Sequence, residues 1–401
     1  MSNKVKFQLA IMMFLQFVVW GAWYSTMGAY LGKIGFSGLN IGAAYSTINW
    51  GAIVSPFIVG MIADKYFSAQ KVMGLIHIVG AGLLYYVSLD TNPTTFFWTL
   101  LIYGIIYMPT IALANTVSFN QMEEPEKEFP FIRVFGTIGW IVIGTVISFL
   151  NYDESNLQFQ LAAGLSLLLG IYCFFLPDTP PKSKGQKTSL REVFGLDALG
   201  LLKDKNFSIF LVCSFLISIP LAFYFSLTGI FLGDLGFENI GSTMTLGQYS
   251  EIIFMLLMPL FFSRLGIKKM LLFGMLAWMA RYALFVLGSD GDMVAMLYLG
   301  ILLHGICYDF FFVTGQIYVD NTAPKEIQAS AQGLITLITY GFGMLIGSWS
   351  SGWFLDFYTD SNDVHLWNSV WLVPAVMALV AALALLFFFQ DVKLQKEEAS
   401  E

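Results

Sequence analysis

Charge is what this chain has least of. Only 12% of its 401 residues are Asp, Glu, Lys or Arg, against about 25% in soluble domains, which excludes an ordinary water-facing surface. Cysteine is nearly absent. Cys173, Cys213 and Cys307 all lie inside apolar stretches without CxxC spacing, so they read as small buried hydrophobes, with no disulfide framework and no metal site. No basic cluster is interleaved with aromatics, which argues against nucleic acid as a partner. HExxH, GxSxG and a Cys–His pair at usable spacing are missing, which argues against an intramembrane enzyme and leaves no cofactor to expect. No filter or ring of charge suggests a channel.

What the chain has instead is apolar sequence, at 57% hydrophobic and 16% aromatic, rich in Phe. A membrane helix needs about 20 mostly apolar residues. Twelve segments qualify: 7–31, 41–63, 70–89, 94–118, 131–151, 157–176, 207–233, 242–262, 269–288, 293–319, 329–355 and 365–390. The first follows Lys4 and Lys6 and shows neither the short apolar core nor the cleavage site of a signal peptide, so it reads as a retained span. The polar stretch after Pro177 divides the chain into a six-helix half (1–176), a linker (177–206) and a second six-helix half (207–401). Within that linker GLDALGLLKD has the pattern of a short amphipathic helix.

Basic residues set the orientation. Of the 20 Lys and Arg, all but Lys33, Arg133 and Arg281 fall at the termini or in loops after even-numbered spans, which places both termini in the cytosol. The opposite loops carry acids such as Asp90, Asp153, Glu154, Glu238 and Asp356. Six plus six spans around a long linker also suggest two parallel repeats.

Against this background two carboxylates stand out. Glu251 lies in QYSEIIFMLLMPLFF and Asp309 in GILLHGICYDFFFVTG. An ionisable group at the bilayer centre costs roughly 2.5–3.5 kcal/mol and is by default a functional-site hypothesis; the competing reading is a buried partner for a nearby Arg. The pair points to proton-coupled transport. Gln248 shares a helix face with Glu251, three residues apart, and His304 shares one with Tyr308, four apart. His304 is either a proton relay beside Asp309 or a hydrogen-bonded packing residue. For Arg281 a structural partner is expected, and for His77 and His365 an ordinary place near span ends. Gly343 and Gly347 in the eleventh span read as close-packing positions.

GMIADKY, with Gly60, Asp64 and Lys65, resembles the signature turn of the major facilitator superfamily, although Phe67 stands where a second Gly is usual; the turn is expected to act as a conformational latch. FLQFVVWGAWYSTMGAY, FPFIRVFGTIGW, SRLGIKKM, YDFFFVTG and IQASAQG resemble the nucleoside:proton symporter family. That resemblance implies a bacterial inner-membrane symporter, monomeric, with a central cavity between two halves opening alternately to each side. It implies substrate contacts from Arg133, Thr137 and Trp140 on the fifth span, Gln248 and Glu251 on the eighth, and His304, Tyr308 and Asp309 on the tenth. Proton coupling falls to Asp309, Glu251 and His304. On the seventh span Ala222 and Phe225 stand where uridine-binding relatives have amides, so the substrate need not be theirs. Together these groups suit the hydroxyls of a ribose and the edges of a base, with Trp140, Tyr308 and Phe225 available for stacking; packing against neighbouring helices is the alternative for each aromatic. Arg133 has two alternatives of its own, snorkelling to the surface or pairing with Glu126 or Glu128. Another small polar metabolite, such as a sugar or nucleobase, or a non-transporting sensor of the same fold, are the competing functions.

Overall fold

The structure, a computed structural model, describes residues 1–58, 67–180 and 196–391, and these are nearly all helical. In order they form α1 (Asn3–Tyr24), α2 (Met27–Lys33), α3 (Gly38–Ile58), α4 (Ala69–Leu89), α5 (Pro93–Asn120), α6 (Pro125–Phe149) and α7 (Leu157–Cys173). A short 3-10 helix, Leu196–Lys203, occupies the GLDALGLLKD stretch. The second half holds α8 (Lys205–Asp234), α9 (Ile240–Gly288), α10 (Val294–Leu302), α11 (His304–Tyr308), α12 (Thr314–Thr322), α13 (Gln328–Thr336), α14 (Met344–Phe357) and α15 (Trp367–Phe388). Single turns of π-helix, Asp309–Val313 and Leu337–Gly343, join α11 to α12 and α13 to α14. The expected signature turn, Gly60 to Lys65, lies outside the described residues.

Twelve crossings of a membrane result. Among the described residues nine helical stretches are long and apolar enough to cross, Leu157–Cys173 is a shorter apolar one, and α3 continues the count. The last comes from α9, which holds two crossings: Gly266 (φ 69°, ψ 176°) breaks it, a left-handed φ that Gly adopts without steric cost. This is the turn of SRLGIKKM. Helix starts follow local chemistry: before α5 the Asn92 side chain accepts from the N–H groups of Thr94 (3.0 Å) and Thr95 (3.3 Å), with Pro93 at the first helical position. Large apolar side chains such as Phe149 (82% exposed) and Leu256 (77%) cover the outside, a surface matched to lipid.

The chain packs as two compact units. One gathers the described residues of 1–189 with Ala222–Thr245 and Met344–Thr359; the other gathers those of 190–221 with Leu246–Gly343 and those of 360–401. In the first unit, α3 and α14 meet backbone to backbone. A Cβ on Gly42 would lie 2.2 Å from the Ser348 carbonyl oxygen, and one on Gly352 would lie 2.1 Å from that of Gly38. Asn49 Nδ2 donates to Ser348 Oγ (3.1 Å) across the same contact. Asp356, expected in a loop, occupies the last turn of α14 and accepts from the N–H groups of Gly38 (2.5 Å) and Leu39 (2.9 Å), capping the start of α3. In the second unit Gly343 fills a close-packing role, its Cα facing the Ser218 side chain.

Candidate functional site

The residues expected to act on substrate fall into two clusters, one in each unit. In the first, Arg133, Thr137 and Trp140 line one face of α6 at helical spacing. Arg133 is exposed, and Thr137 and Trp140 are half-buried. The Arg133 guanidinium sits 4.4 Å from the centroid of the Phe17 ring, a cation–π contact, and makes no ion pair among the described residues. Glu128 is bonded elsewhere, to the chain's amino terminus at 3.4 Å; the side chain of Glu126 lies outside the described residues.

Trp140 packs edge-on to Trp20 (5.5 Å) and near Tyr24 (6.3 Å), and Tyr24 touches Phe225 (5.4 Å). Phe17, Trp20 and Tyr24 on α1 therefore complete an aromatic wall that sequence reasoning did not single out. Their spacing of three and four was the available signal. Phe225 is half-buried and belongs to this wall, whereas Ala222 is 1% exposed and presents no surface.

Behind the wall lies a polar network. His77 is 1% exposed, in the middle of α4 rather than near a span end as expected. Its Nε2 is 2.9 Å from Gln16 Oε1 and its Nδ1 3.1 Å from Ser166 Oγ. Facing an amide oxygen, Nε2 donates to Gln16, and the Ser166 hydroxyl also donates to the His77 backbone carbonyl at 2.9 Å. Gln16 in turn donates to Thr110 Oγ1 (2.7 Å), and Tyr107 donates to the Gln16 carbonyl (2.8 Å). Four helices are tied together by these groups, so His77 acts as a cross-helix link. His365 sits in the loop before α15, against Trp367.

The second cluster is built on α9, α11 and the π turn that follows it. Gln248 is 9% exposed and makes no hydrogen bond to the described residues. One turn on, Glu251 Oε2 lies 3.9 Å from Nε2 of the buried His304, beyond hydrogen-bond length, and the two attract as an ion pair only when the imidazole is protonated. Gly247 lets the helices approach this closely, since a Cβ there would meet His304 Cβ at 3.0 Å. The His304 ring stacks on Tyr308 (5.9 Å), and the Tyr308 hydroxyl meets that of Tyr340 at 2.5 Å. Tyr340, in the second π turn, is another member that the sequence did not flag.

Asp309 opens the first π turn and is 0% exposed. Neither carboxylate oxygen has a hydrogen-bond partner among the described residues. A carboxyl so placed is costly as an anion, and π turns recur at functional sites. Chemically, this cluster offers an amide, two acids, an imidazole and a pair of phenols. Among the described residues no group of His, Cys, Asp and Glu is arranged to hold a metal.

The match to known proteins runs nearly the full length of the chain. The model of the nucleoside H+ symporter family fits residues 3–393. A protein of Escherichia coli (strain K12) named "Putative nucleoside transporter YegT" is 44% identical over 97% of this chain and 94% of its own length. The xanthosine permease of the same organism is 36% identical over 96% of both. The crystal structure of the nucleoside transporter NupG superposes with a TM-score of 0.88 at 33% identity, covering 98% of this chain and 100% of that one. Two six-helix bundles of the major facilitator type are thereby shown, and with them a multi-span membrane transporter. The chain belongs to the nucleoside H+ symporter family.

Proposed function

We propose that this protein imports nucleosides across the bacterial inner membrane by alternating access, driven by inward proton flow. Family membership supports the reaction class. The observation that carries the coupling is Asp309, a fully buried carboxyl without a hydrogen-bond partner among the described residues, one residue from Tyr308 on a helix that also presents His304. A proton or a polar ligand would relieve the cost of that group, which is what a coupling residue requires. Asp309 and Glu251 carry the proton, with His304 beside Glu251 as their relay.

Arg133, Thr137 and Trp140 bind substrate from the first half, and Phe225 from the start of the second. Gln248, Glu251, His304, Tyr308 and Asp309 bind it from the second, the base stacking on the aromatics and the ribose hydroxyls meeting the amide and acids. The functional halves are residues 1–176 and 207–401, linked by 177–206, with both termini in the cytosol and the protein monomeric. The test is uptake of labelled nucleosides into proteoliposomes with and without an inward proton gradient. Accumulation above equilibrium only with the gradient is expected; equilibration alone, with or without it, would rule out symport.

A further inference from the structure

We propose that Arg281 is a positioning residue for the proton-coupling segment. The inference rests on the symport reading above, but the geometry is independent of it. Arg281 is 0% exposed on α9. Its Nε donates to the Gly300 carbonyl at 2.9 Å, and Nη2 reaches that of Ile301 at 3.5 Å. Ser250, from the other leg of α9, donates to the Leu302 carbonyl and accepts from the Gly305 N–H. Trp278 lies under the guanidinium at 4.7 Å and donates its ring N–H to the Cys307 carbonyl at 3.2 Å.

Three side chains thus bond backbone groups along a run of eight residues, Gly300 to Cys307, in which the Leu303 N–H (to Leu299, 3.0 Å) and the Cys307 N–H (to the Leu303 carbonyl, 2.9 Å) keep their helical bonds. Side chains inserted into a helical ladder break it. The break falls at Leu303 (φ −66°, ψ −6°), between α10 and α11. The next residue is His304, followed within five positions by Tyr308 and Asp309. An interruption at Leu303 fixes how far these three are rotated about the helix axis relative to α10. Arg281 also stacks on Trp278, whose ring lies edge-on to His304 at 6.5 Å, so it holds the segment by two routes. A merely space-filling role would need neither the planar donor fork nor its aim at successive carbonyls.

The test compares Arg281→Lys, Arg281→Gln, Ser250→Ala and Trp278→Phe in the full-length protein. Ser250→Ala and Trp278→Phe leave the charge in place and keep the test open should the Arg281 variants not fold. Hydrogen exchange of purified protein should show peptides spanning Gly300–Asp309 exchanging about 10-fold faster in Arg281→Gln, with the amides of α4 unchanged. In proteoliposomes, the ratio of proton-driven uptake to substrate exchange should fall about 10-fold in Arg281→Lys and Ser250→Ala, because displaced coupling groups spoil proton linkage before binding. Loss of folded protein would lower both rates together and leave the ratio unchanged. Wild-type exchange and a wild-type ratio in folded variants would overturn the proposal. If the wild-type protein transports no nucleoside, the symport reading falls, while hydrogen exchange still decides whether Arg281 holds the break.

Discussion

The carboxylate of Asp153 accepts a hydrogen bond from the backbone N–H of Gly241, 88 residues further along the chain, at 2.7 Å. Gly241 lies in the first turn of α9, where unpaired N–H groups and the helix dipole favour a negative partner. Ser148 donates to the same Asp153 oxygen at 2.8 Å and accepts from the Ser242 N–H at 2.9 Å. The other oxygen is buried without a hydrogen-bond partner among the described residues. Burial pushes this carboxyl above its ordinary range, and the hydrogen bonds from Gly241 and Ser148 offset only part of that.

The pH dependence follows from the sign of that shift. A raised acid penalises the folded state when ionised; the penalty is full above the raised value and disappears as pH falls below the ordinary carboxylate range. Asp153→Asn keeps one oxygen to accept from Gly241 and sheds the penalised charge. Its melting temperature should match wild type near pH 3 and equal or exceed it near pH 7.5. Asp153→Ala leaves two donors unpaired and should cost about 1–3 kcal/mol at both. Thermal unfolding in detergent decides, and an Asn variant as unstable as the Ala variant near pH 7.5 would refute the assignment.

Gln248 tests the pocket. Its amide both donates and accepts, and it makes no hydrogen bond to the described residues. Leaving a polar ligand group unpaired costs about 1–3 kcal/mol, so Gln248→Ala should weaken nucleoside binding by about 10-fold or more with the fold intact. Unchanged affinity in a monodisperse variant would remove this residue from the site.

On α8, Phe225 is the position that tests the proposed selectivity. Its neighbour Ala222 is buried, and an added amide there would overpack the helix contact, at about 1–3 kcal/mol. Phe225→Asn should shift preference toward uridine relative to other nucleosides in a competition assay. A wild-type protein that already binds uridine as tightly as any nucleoside tested would void the argument from this position.

Coupling is tested by Asp309→Asn, which fixes a neutral side chain of nearly the same volume. Proton-driven accumulation should vanish, while exchange of labelled for unlabelled substrate persists. Glu251→Gln should reduce both, since Glu251 is given a role in binding as well. Survival of gradient-driven accumulation in Asp309→Asn would transfer the coupling role to Glu251.

The spans were legible because apolar run length is a direct demand of the bilayer, and observed helix ends mostly fall within a few residues of the expected ones. Glu251 and Asp309 were legible for the same reason, since a charge in such a run costs too much to be incidental. Arg281 was read only as needing a structural partner, because which carbonyls it meets depends on how α9 lies along α10. His77 was misplaced because counting along a span does not reveal which neighbours enclose it. Trp20, Tyr24 and Tyr340 do not stand out in the sequence because, in a chain so rich in aromatics, helical spacing of rings carries little information.

The glycine contact between α3 and α14 has a thermodynamic side. Two helices that touch through bare backbone at Gly38, Gly42 and Gly352 freeze almost no rotamers when they meet and release almost none when they part. Side-chain ordering usually costs up to about 2 kcal/mol per long side chain, and here that term is close to zero. Rotamer loss at these positions therefore opposes the joining of the helices little, and the Asp356 cap and the Asn49–Ser348 bond add fixed polar points to the contact. A contact of this kind fixes the register of two helices through two small catches rather than through interlocked side chains.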